Sequence, residues 1–430
     1  MAVTVLLGGF LVALLVGMPV ALTMGGAGLL AMAVDGKLST LLAVQRMFSG
    51  IDSFPLMAVP FFILAAELMT GGRITDVLLR FACQIIGNVR GGLGYANVLM
   101  SIFFAGISGS ALADAAGPGS VTIRMMRQAG YHPEYAAALT ASGAVIAPII
   151  PPSIIMIIYA LTDNSVSVAG IFLAGIVPGL LLGLALFVVN FLVSRRRDYR
   201  FGIERPPFGE FLRQSWQAIP ALLLPVIILG GIHGGIFTPT EASAVAAAYA
   251  LFLGMAVFRS LRLADLPRIL VGTALMTSAV LLIVSMASVF AYMLTILQVP
   301  QSVTGFIVEL GLSQLGLLLA LSLFLLFCGL FLDTLPAVII LVPILAPLAQ
   351  MAGIHPLHFA MVVVLNLTIG MITPPVGAVL FVTTVVSRVP MGALIRAIMP
   401  MLMAEMVVFL LIVLFPGLSL WLPGLLGYSR

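Results

Sequence analysis

Two stretches of the sequence, GYHPEYAAALTASGAVIAPIIPPS at residues 130–153 and GIHPLHFAMVVVLNLTIGMITPPVG at residues 353–377, begin with Gly-x-His-Pro and reach a Pro-Pro pair at the same spacing. A shift of 223 residues, from 130 to 353, superposes them without a gap, and the same shift matches Gly106 to Gly329. Shared apolar residues would mean little, but Gly, His and Pro at fixed spacing rarely coincide by chance. We therefore interpret the two stretches as copies of an internal repeat.

The composition places both copies in a membrane. Of the 430 residues, 62% are hydrophobic and 8% are charged, whereas soluble domains carry about 25% charged residues. The chain also contains 43 glycines and 26 prolines, and a membrane tolerates broken helices only where neighbours or a polar cavity satisfy the freed backbone groups. These values exclude a water-facing globular fold. They predict an all-α polytopic protein with broken helices, forming a single integral membrane domain over residues 1–430.

Apolar runs of about 20 residues predict membrane-spanning helices. Such runs occur at residues 3–33, 54–70, 133–161, 168–193, 217–233, 238–258, 268–297, 356–386 and 398–422. Two longer and interrupted stretches, 93–128 and 315–350, each follow a shorter amphipathic segment, 73–90 and 302–313, that we expect to lie along the interface. The first run has no basic segment before it, so we predict a membrane helix rather than a cleaved signal peptide.

The arginines favour a topology in which both interrupted stretches are re-entrant hairpins. If 93–128 enters and leaves on the cytoplasmic side and 315–350 does so on the outer side, most of the 19 lysines and arginines fall in the cytoplasm, including a basic loop at 194–214. Cytoplasmic loops of membrane proteins collect Lys and Arg. Treating either stretch as a single crossing would invert half of these loops.

In this topology the two copies of the repeat run in opposite directions. Helix 133–161 runs outward and helix 356–386 runs inward, within repeats that we place at residues 54–193 and 268–422. Inverted repeats with paired broken helices are typical of secondary transporters, whose binding site lies at the bilayer midplane where the repeats meet. The sequence therefore predicts a transporter.

The two proline pairs indicate where an ion would bind. Pro151-Pro152 and Pro374-Pro375 lie near the middle of their predicted spans. Each pair removes two backbone donors and leaves carbonyl oxygens without an intrahelical partner. A simple proline kink would explain one such pair. Two pairs at matched repeat positions instead favour a cation site, in which the freed carbonyl oxygens bind a hard cation such as sodium.

We expect the hairpin tips to face these breaks. The first tip, GISGS at 106–110, combines glycines that allow a tight turn with hydroxyls that cap a helix or bind a cation. Small-residue helix packing explains such a cluster equally well. The second tip, GLFLDT at 329–334, carries Asp333. A carboxylate within the membrane is costly and by default marks an ion or substrate path.

Three other acidic residues are weaker candidates. Asp114 belongs either to the ion path or to a helix N-cap for the second arm of its hairpin. Glu67 and Glu241 stand near the ends of predicted helices, and we interpret both as helix-end or interfacial residues.

Other functional classes have little support. Cys83 and Cys328 form no CxxC pair, and the four histidines form no HExxH motif, which disfavours an intramembrane metalloenzyme. No GxxxxGK[ST] loop occurs, which disfavours an ATP-driven pump. No basic stripe alternates with aromatic residues, so a nucleic-acid partner is not expected. A subunit that only anchors a complex would leave the paired breaks and the tip aspartate without a purpose.

Long runs of unusual composition now permit a comparison with known families. They are the segment from Phe54 to Leu64, FAGISGSALADAAGPG (104–119), residues 129–160, DTLPA (333–337) and residues 355–381. Together they resemble the large membrane subunit of tripartite ATP-independent periplasmic (TRAP) transporters over most of the chain. The resemblance implies a sodium-driven importer of organic anions in the bacterial inner membrane, with an elevator-type ion-transporter fold. It implies no cofactor apart from sodium as the coupling ion.

The resemblance also implies two protein partners. One is a small four-helix-type membrane subunit, and the other is a soluble periplasmic substrate-binding protein. No small-subunit sequence precedes the first hairpin, so we expect the small subunit to be a separate chain. The cargo stays open between C4-dicarboxylates, sialic acid and other organic acids. The alternative is a stand-alone sodium-coupled dicarboxylate symporter of the same architecture that needs no binding protein.

Each hairpin tip, with the broken helix facing it, would hold one sodium ion according to the same resemblance. The first site would use Ser108, Gly109 and Ser110 with carbonyls from Ala147 to Ile150, and the second would use Gly329, Asp333, Thr334, Gly370 and Thr373. Residues on the substrate side would be Pro151, Ser153, Pro374 and Asp333. All arginines map to loops or helix ends, so helix N-termini and bound sodium would supply the positive potential for an anion.

Overall fold

A computed structural model describes residues 1–36, 39–71, 74–197, 199, 207–299, 301–302, 305 and 312–428. Within these residues the chain forms helices and turns and no strand. Eight of the described helices are long and apolar enough to cross a membrane. The expected all-α polytopic fold is therefore confirmed.

The described N-terminal part contains fourteen α-helices. They are α1 Ala2–Leu15, α2 Val20–Asp35, α3 Thr40–Ile51, α4 Ala58–Gly71, α5 Ile74–Ile86, α6 Gly92–Ser108, α7 Ala111–Ala116, α8 Pro118–Gln128, α9 Pro133–Ala144, α10 Ile154–Thr162, α11 Val168–Arg197, α12 Phe208–His233, α13 Pro239–Phe252 and α14 Leu266–Ile296. A 3-10 turn, Phe54–Met57, leads into α4, and a π-helical turn, Leu253–Val257, follows α13.

The C-terminal part contains six described helices. They are α15 Gln314–Phe331, α16 Thr334–Met351, α17 Pro356–Gly370, α18 Ala378–Ser387, α19 Met391–Leu414 and α20 Gly417–Leu425. Of the two predicted amphipathic segments, 73–90 contains α5, whereas 302–313 lies largely outside the described residues, as does part of the basic loop 194–214.

Two of the predicted spans were wrong in their extent. The run 3–33 is not one helix but α1 and α2, which pack against each other. Gly17 between them has a φ of +86°, and Pro19 then provides the N-cap of α2. Apolar residues continue through this turn, so hydropathy alone does not reveal it. The predicted span 398–422 is likewise two helices, α19 and α20, separated at Phe415 and Pro416.

The helix boundaries repeat with the shift found in the sequence. Corresponding boundaries stand 223 residues apart at the end of the first hairpin arm, at the start of the broken helix and at the start of the helix that follows it. The pairs are Ser108 with Phe331, Pro133 with Pro356, and Val168 with Met391. The two Pro-Pro bonds, Pro151-Pro152 and Pro374-Pro375, are both cis. The orientation of the two copies relative to a membrane stays a prediction.

The two copies interlock through their broken helices. Within each copy, the first hairpin arm packs on the first half of the broken helix, α6 on α9 and α15 on α17. The second halves cross over: α10 packs on α16, and α18 packs on α7 and α8. A second group of helices surrounds α14, which contacts α2, α3 and α4, while α13 packs on α4 and α12.

Asn190 links three helices of the first copy. This fully buried residue of α11 donates from Nδ2 to the Gly91 carbonyl at 3.1 Å, and its Oδ1 accepts from the Tyr135 hydroxyl of α9 at 2.8 Å. A Cβ on Gly94 of α6 would clash with Asn190 Oδ1, so glycine permits the close approach. The contact fixes α6 and α9 against α11.

We expect Asn190→Ala to lower the free energy of unfolding by about 1–3 kcal/mol, because the buried Tyr135 hydroxyl would lose its acceptor. Thermal unfolding of the purified protein in detergent, followed by circular dichroism, measures this loss. Asn164→Ala, at an exposed turn position, is the matched control and should leave the midpoint unchanged. Equal midpoints for the two variants would contradict the role assigned to Asn190.

Candidate ion sites at the two hairpin tips

The first hairpin turns on a glycine that lies directly against the break in α9–α10. After α6 ends at Ser108, Gly109 adopts a left-handed conformation with a φ of +60°, and Ser110 caps α7 by accepting from the Ala113 N–H at 3.4 Å. A Cβ on Gly109 would lie 2.6 Å from the Pro152 carbonyl oxygen. The predicted tip residues are thus brought to the predicted break.

A carboxylate supports this tip from inside the hairpin. Ser108 Oγ donates to Asp114 Oδ1 and accepts from the Ser110 N–H at 3.3 Å. Asp114 is buried, and its Oδ2 has no partner within the described part of the chain. Asp114 lies inside α7, and Ser110 and Gly117 occupy the N-cap positions of α7 and α8. The N-cap interpretation of Asp114 was therefore wrong.

The break opposite the first tip offers free carbonyl oxygens. No backbone N–H of the described residues donates to the carbonyls of Ala147 or Ile150. The Pro148 carbonyl accepts from Ser153 Oγ at 2.6 Å, and the same hydroxyl caps α10 by accepting from the Met156 N–H at 3.3 Å. Ala147 and Ser153 are fully buried. The break is thus enclosed by protein.

The second tip combines a helix cap with a close backbone crossing. Asp333 caps α16, since its Oδ1 accepts from the Thr334 N–H at 2.7 Å and from Thr334 Oγ1 at 3.3 Å. A Cβ on Gly370 at the end of α17 would lie 2.8 Å from Gly329 Cα. The backbones of α15 and α17 therefore touch where the second site was expected.

The second break is more open than the first. Thr373 Oγ1 donates to the Ile369 carbonyl at 2.8 Å, and the Met371 carbonyl accepts from the Val379 N–H at 3.0 Å. Within the described residues, no backbone N–H donates to the carbonyls of Ile372 or Thr373. Thr373 and Pro374 are half-buried and Pro375 is exposed. This break can be reached from outside the protein core.

The repeat places related groups at the two tips without making them identical. Ser110 and Asp333 stand 223 residues apart, and each caps the second arm of its hairpin. The carboxylate thus stands at the cap itself in the second copy. In the first copy the carboxylate belongs to Asp114, four residues after Ser110. It contacts the tip by accepting a hydrogen bond from Ser108 Oγ. Each tip therefore has one carboxylate, supplied from a different position.

Glu405 is a buried acidic residue that the sequence analysis missed. Glu405 lies in the middle of α19, is fully buried, and neither of its carboxyl oxygens has a partner within the described residues. A lone acidic residue within the apolar run 391–414 was the available signal. Glu241 has a structural role, because it completes a capping box with Thr238 at the start of α13.

The donor set at both tips suits a hard cation. It consists of backbone carbonyls, hydroxyls and carboxylates, the oxygen ligands that such cations prefer. No group of three or more His, Cys, Asp or Glu side chains that could hold a metal occurs among the residues searched, which are the described ones. Backbone carbonyl and hydroxyl oxygens are therefore the main groups at the breaks that suit such a cation.

Comparison with known proteins gives a family. The family described as "Tripartite ATP-independent periplasmic transporter, DctM component" matches residues 7–418. The chain is 40% identical over 423 residues to the sialic acid TRAP transporter large permease protein SiaM of Vibrio cholerae serotype O1, covering 98% of this chain and 99% of that protein. It is 41% identical over 384 residues to the C4-dicarboxylate TRAP transporter large permease protein DctM of Pseudomonas aeruginosa, covering 89% and 90%.

The fold has a counterpart among solved structures. The chain is similar to the crystal structure of the Alcanivorax borkumensis YdaH transporter, with a TM-score of 0.66, 13% identity and 87% of each chain covered. This likeness concerns the fold alone and agrees with the all-helical architecture.

The relatives are permease subunits of transporters and not enzymes. The chain therefore belongs to the DctM-component family of TRAP transporters, as the resemblance of its motifs indicated, and is a multi-pass protein of the inner membrane.

Proposed function

We propose that this chain is the large permease subunit of a sodium-driven, binding-protein-dependent importer of organic acids. The observation that carries the proposal is the paired arrangement of tips and breaks. At each tip, glycine backbone touches a broken helix, and two carbonyls at each break accept no backbone N–H within the described residues. Discontinuous helices of this kind bind substrate and coupling ions in secondary transporters. Sodium would bind to the carbonyls and hydroxyls at the two tips.

The substrate would be a carboxylate. The printed names of the two relatives refer to sialic acid and to C4-dicarboxylates, which share a carboxylate group. Helix N-termini attract anions through their free N–H groups and their dipole. Ser153 is the N-cap of α10 and directly follows the first proline pair, and Gly377 is the N-cap of α18, two residues after the second pair. Pro151, Ser153, Pro374 and Asp333 would then form the substrate side, with bound sodium offsetting the charge of Asp333.

During transport, one group of helices would move relative to the other. Both hairpins and both broken helices interlock, so they would move as one body that carries the sites. The helices around α14 form the other group, which would stay in place. In this elevator mechanism the sites cross the membrane with the moving group, and sodium binding would set when it moves.

The tripartite family description implies a small membrane subunit and a periplasmic binding protein as partners.

We expect uptake of labelled sialic acid or succinate by proteoliposomes containing this chain and its small subunit to need both an inward sodium gradient and a candidate binding protein. Uptake that needs sodium but not the binding protein would favour the stand-alone symporter. Uptake that is indifferent to sodium would contradict the proposed coupling.

We expect Asp333→Asn to raise the sodium concentration for half-maximal uptake about tenfold, which corresponds to about 1.4 kcal/mol of cation binding. Asparagine caps helices as well as aspartate does, so the fold should persist while the charge is lost. The measurement is a sodium titration of uptake. Asp265→Asn, on the turn before α14, is the control and should leave the titration unchanged. An unchanged titration in Asp333→Asn would remove this carboxylate from the sodium site.

Gly370→Ala tests the contact at the second tip. A Cβ there would displace the Gly329 backbone, so we expect sodium-driven uptake to fall at least about tenfold while the helices remain folded. The control is Gly392→Ala in α19, where no atom lies within 4 Å of the added Cβ. Circular dichroism checks folding of both variants. Normal uptake by folded Gly370→Ala would show that the contact is not needed.

A further inference from the structure

Three arginines from the two copies of the repeat meet at one pocket. Its volume is about 570 Å³, and it lies between α8 and the end of α18. Arg124 and Arg127 come from α8, and Arg388 follows the last residue of α18. Gln128 and Ser120 add an amide and a hydroxyl to the lining. The pocket is separate from both hairpin tips.

The local structure places the side chains of α8 and of Arg388 at the same pocket. Residue 124 stands four positions after 120, and residues 127 and 128 stand three and four positions after 124, so the four residues share one face of α8. Arg127 Nη1 donates to the Ser387 carbonyl at 3.1 Å, which joins α8 to the end of α18. Arg388 has a φ of +56°, and its N–H caps α18 by donating to the Thr384 carbonyl at 2.9 Å. This left-handed cap sets the direction in which the Arg388 side chain leaves the helix.

The positive charge of this pocket is not offset by its lining. Among the described residues that line it there is no acidic side chain. A second basic pocket, between α5 and the turn before α14, differs in this respect, because Asp76 and Asp265 accompany its arginines Arg80, Arg259 and Arg262. An anion would therefore be drawn to the first pocket rather than to the second.

We propose that the pocket formed by Arg124, Arg127 and Arg388 binds a phosphate group and so ties the two repeats together. Guanidinium groups match phosphate oxygens with paired donors, and the Gln128 amide supplies a further donor. The predicted topology puts the pocket on the cytoplasmic side, where basic pockets between helices bind lipid headgroups. Phe381 and Val385 are 52% and 78% exposed and lie one turn apart on α18, the helix whose Val386 and C-cap Arg388 line the pocket. They offer apolar surface on the same helix.

The phosphate could come from an anionic phospholipid or from solution. Both sources present the same oxygens to the arginines, and the lipid would add contacts between its chains and Phe381 or Val385. Either ligand would bridge α8 of the first copy and α18 of the second. Bridging these two elements would stabilise the folded protein.

The test measures ligand-dependent thermal stabilisation of the delipidated full chain in detergent. The probes are short-chain phosphatidylglycerol, inorganic phosphate and, as a neutral comparison, short-chain phosphatidylcholine. We expect Arg124→Gln and Arg388→Gln each to weaken binding about fivefold, as removal of one arginine beside a phosphate group implies. Arg396→Gln, at an exposed position of α19 outside the pocket, should bind like the unmodified protein.

The outcomes distinguish a lipid ligand from a soluble phosphate and show whether the arginine pocket binds either one. Stabilisation by phosphatidylglycerol alone, lost in the pocket variants, supports the site with a lipid ligand. Equal stabilisation by inorganic phosphate, lost in the same variants, supports it with a soluble ligand. Identical affinities in the unmodified protein and the pocket variants would overturn the proposal. If Arg388→Gln does not fold, Arg388→Gly serves instead, because glycine accepts the left-handed backbone and still removes the guanidinium.

Discussion

Backbone carbonyl oxygens need partners inside a membrane protein, and this requirement governs the centre of the molecule. Each Pro-Pro pair takes two N–H donors away from a helix that would otherwise satisfy its own backbone. The chain covers each resulting break with the tip of a hairpin, and at both places glycine lets the two backbones touch. At each break the irregular backbone therefore lies against protein on the side of the hairpin tip. The same freed oxygens are the groups that we propose as ligands for sodium.

Much of this centre could be predicted from the sequence, because Gly, His and Pro act locally. The Pro-Pro pairs mark the breaks in both helices, and GISGS and Asp333 mark the tips that reach them. Features that depend on packing were not predictable in this way. The turn at Gly17 is hidden because apolar residues continue on both sides of it. Asp114 pairs with Ser108 only after the chain has reversed at Gly109, so its place inside α7 does not follow from residue spacing.

The two tips also show how a repeat diverges while its architecture is kept. The boundaries of corresponding elements keep the same separation along the chain, yet the second break is open to the surface and the first is enclosed. The enclosed site relies on a carboxylate that reaches the tip through a hydroxyl. The open site has its carboxylate at the cap itself. Ion binding at the two tips would thus differ in access, although the helices around them are alike.

The crossing-over of the broken helices has a consequence for biosynthesis. Helix α10 finds its main partner in α16, and α18 finds most of its partners in the first copy. A ribosome that makes about 5–20 residues per second completes α10 roughly 10 to 35 seconds before α16 begins to emerge. During that interval the newly made α10 lacks its principal neighbour and must be held at the insertion machinery or against lipid. Neither copy is a self-sufficient folding unit, so a nascent chain stopped between the two copies would leave α10 without the surface that buries it.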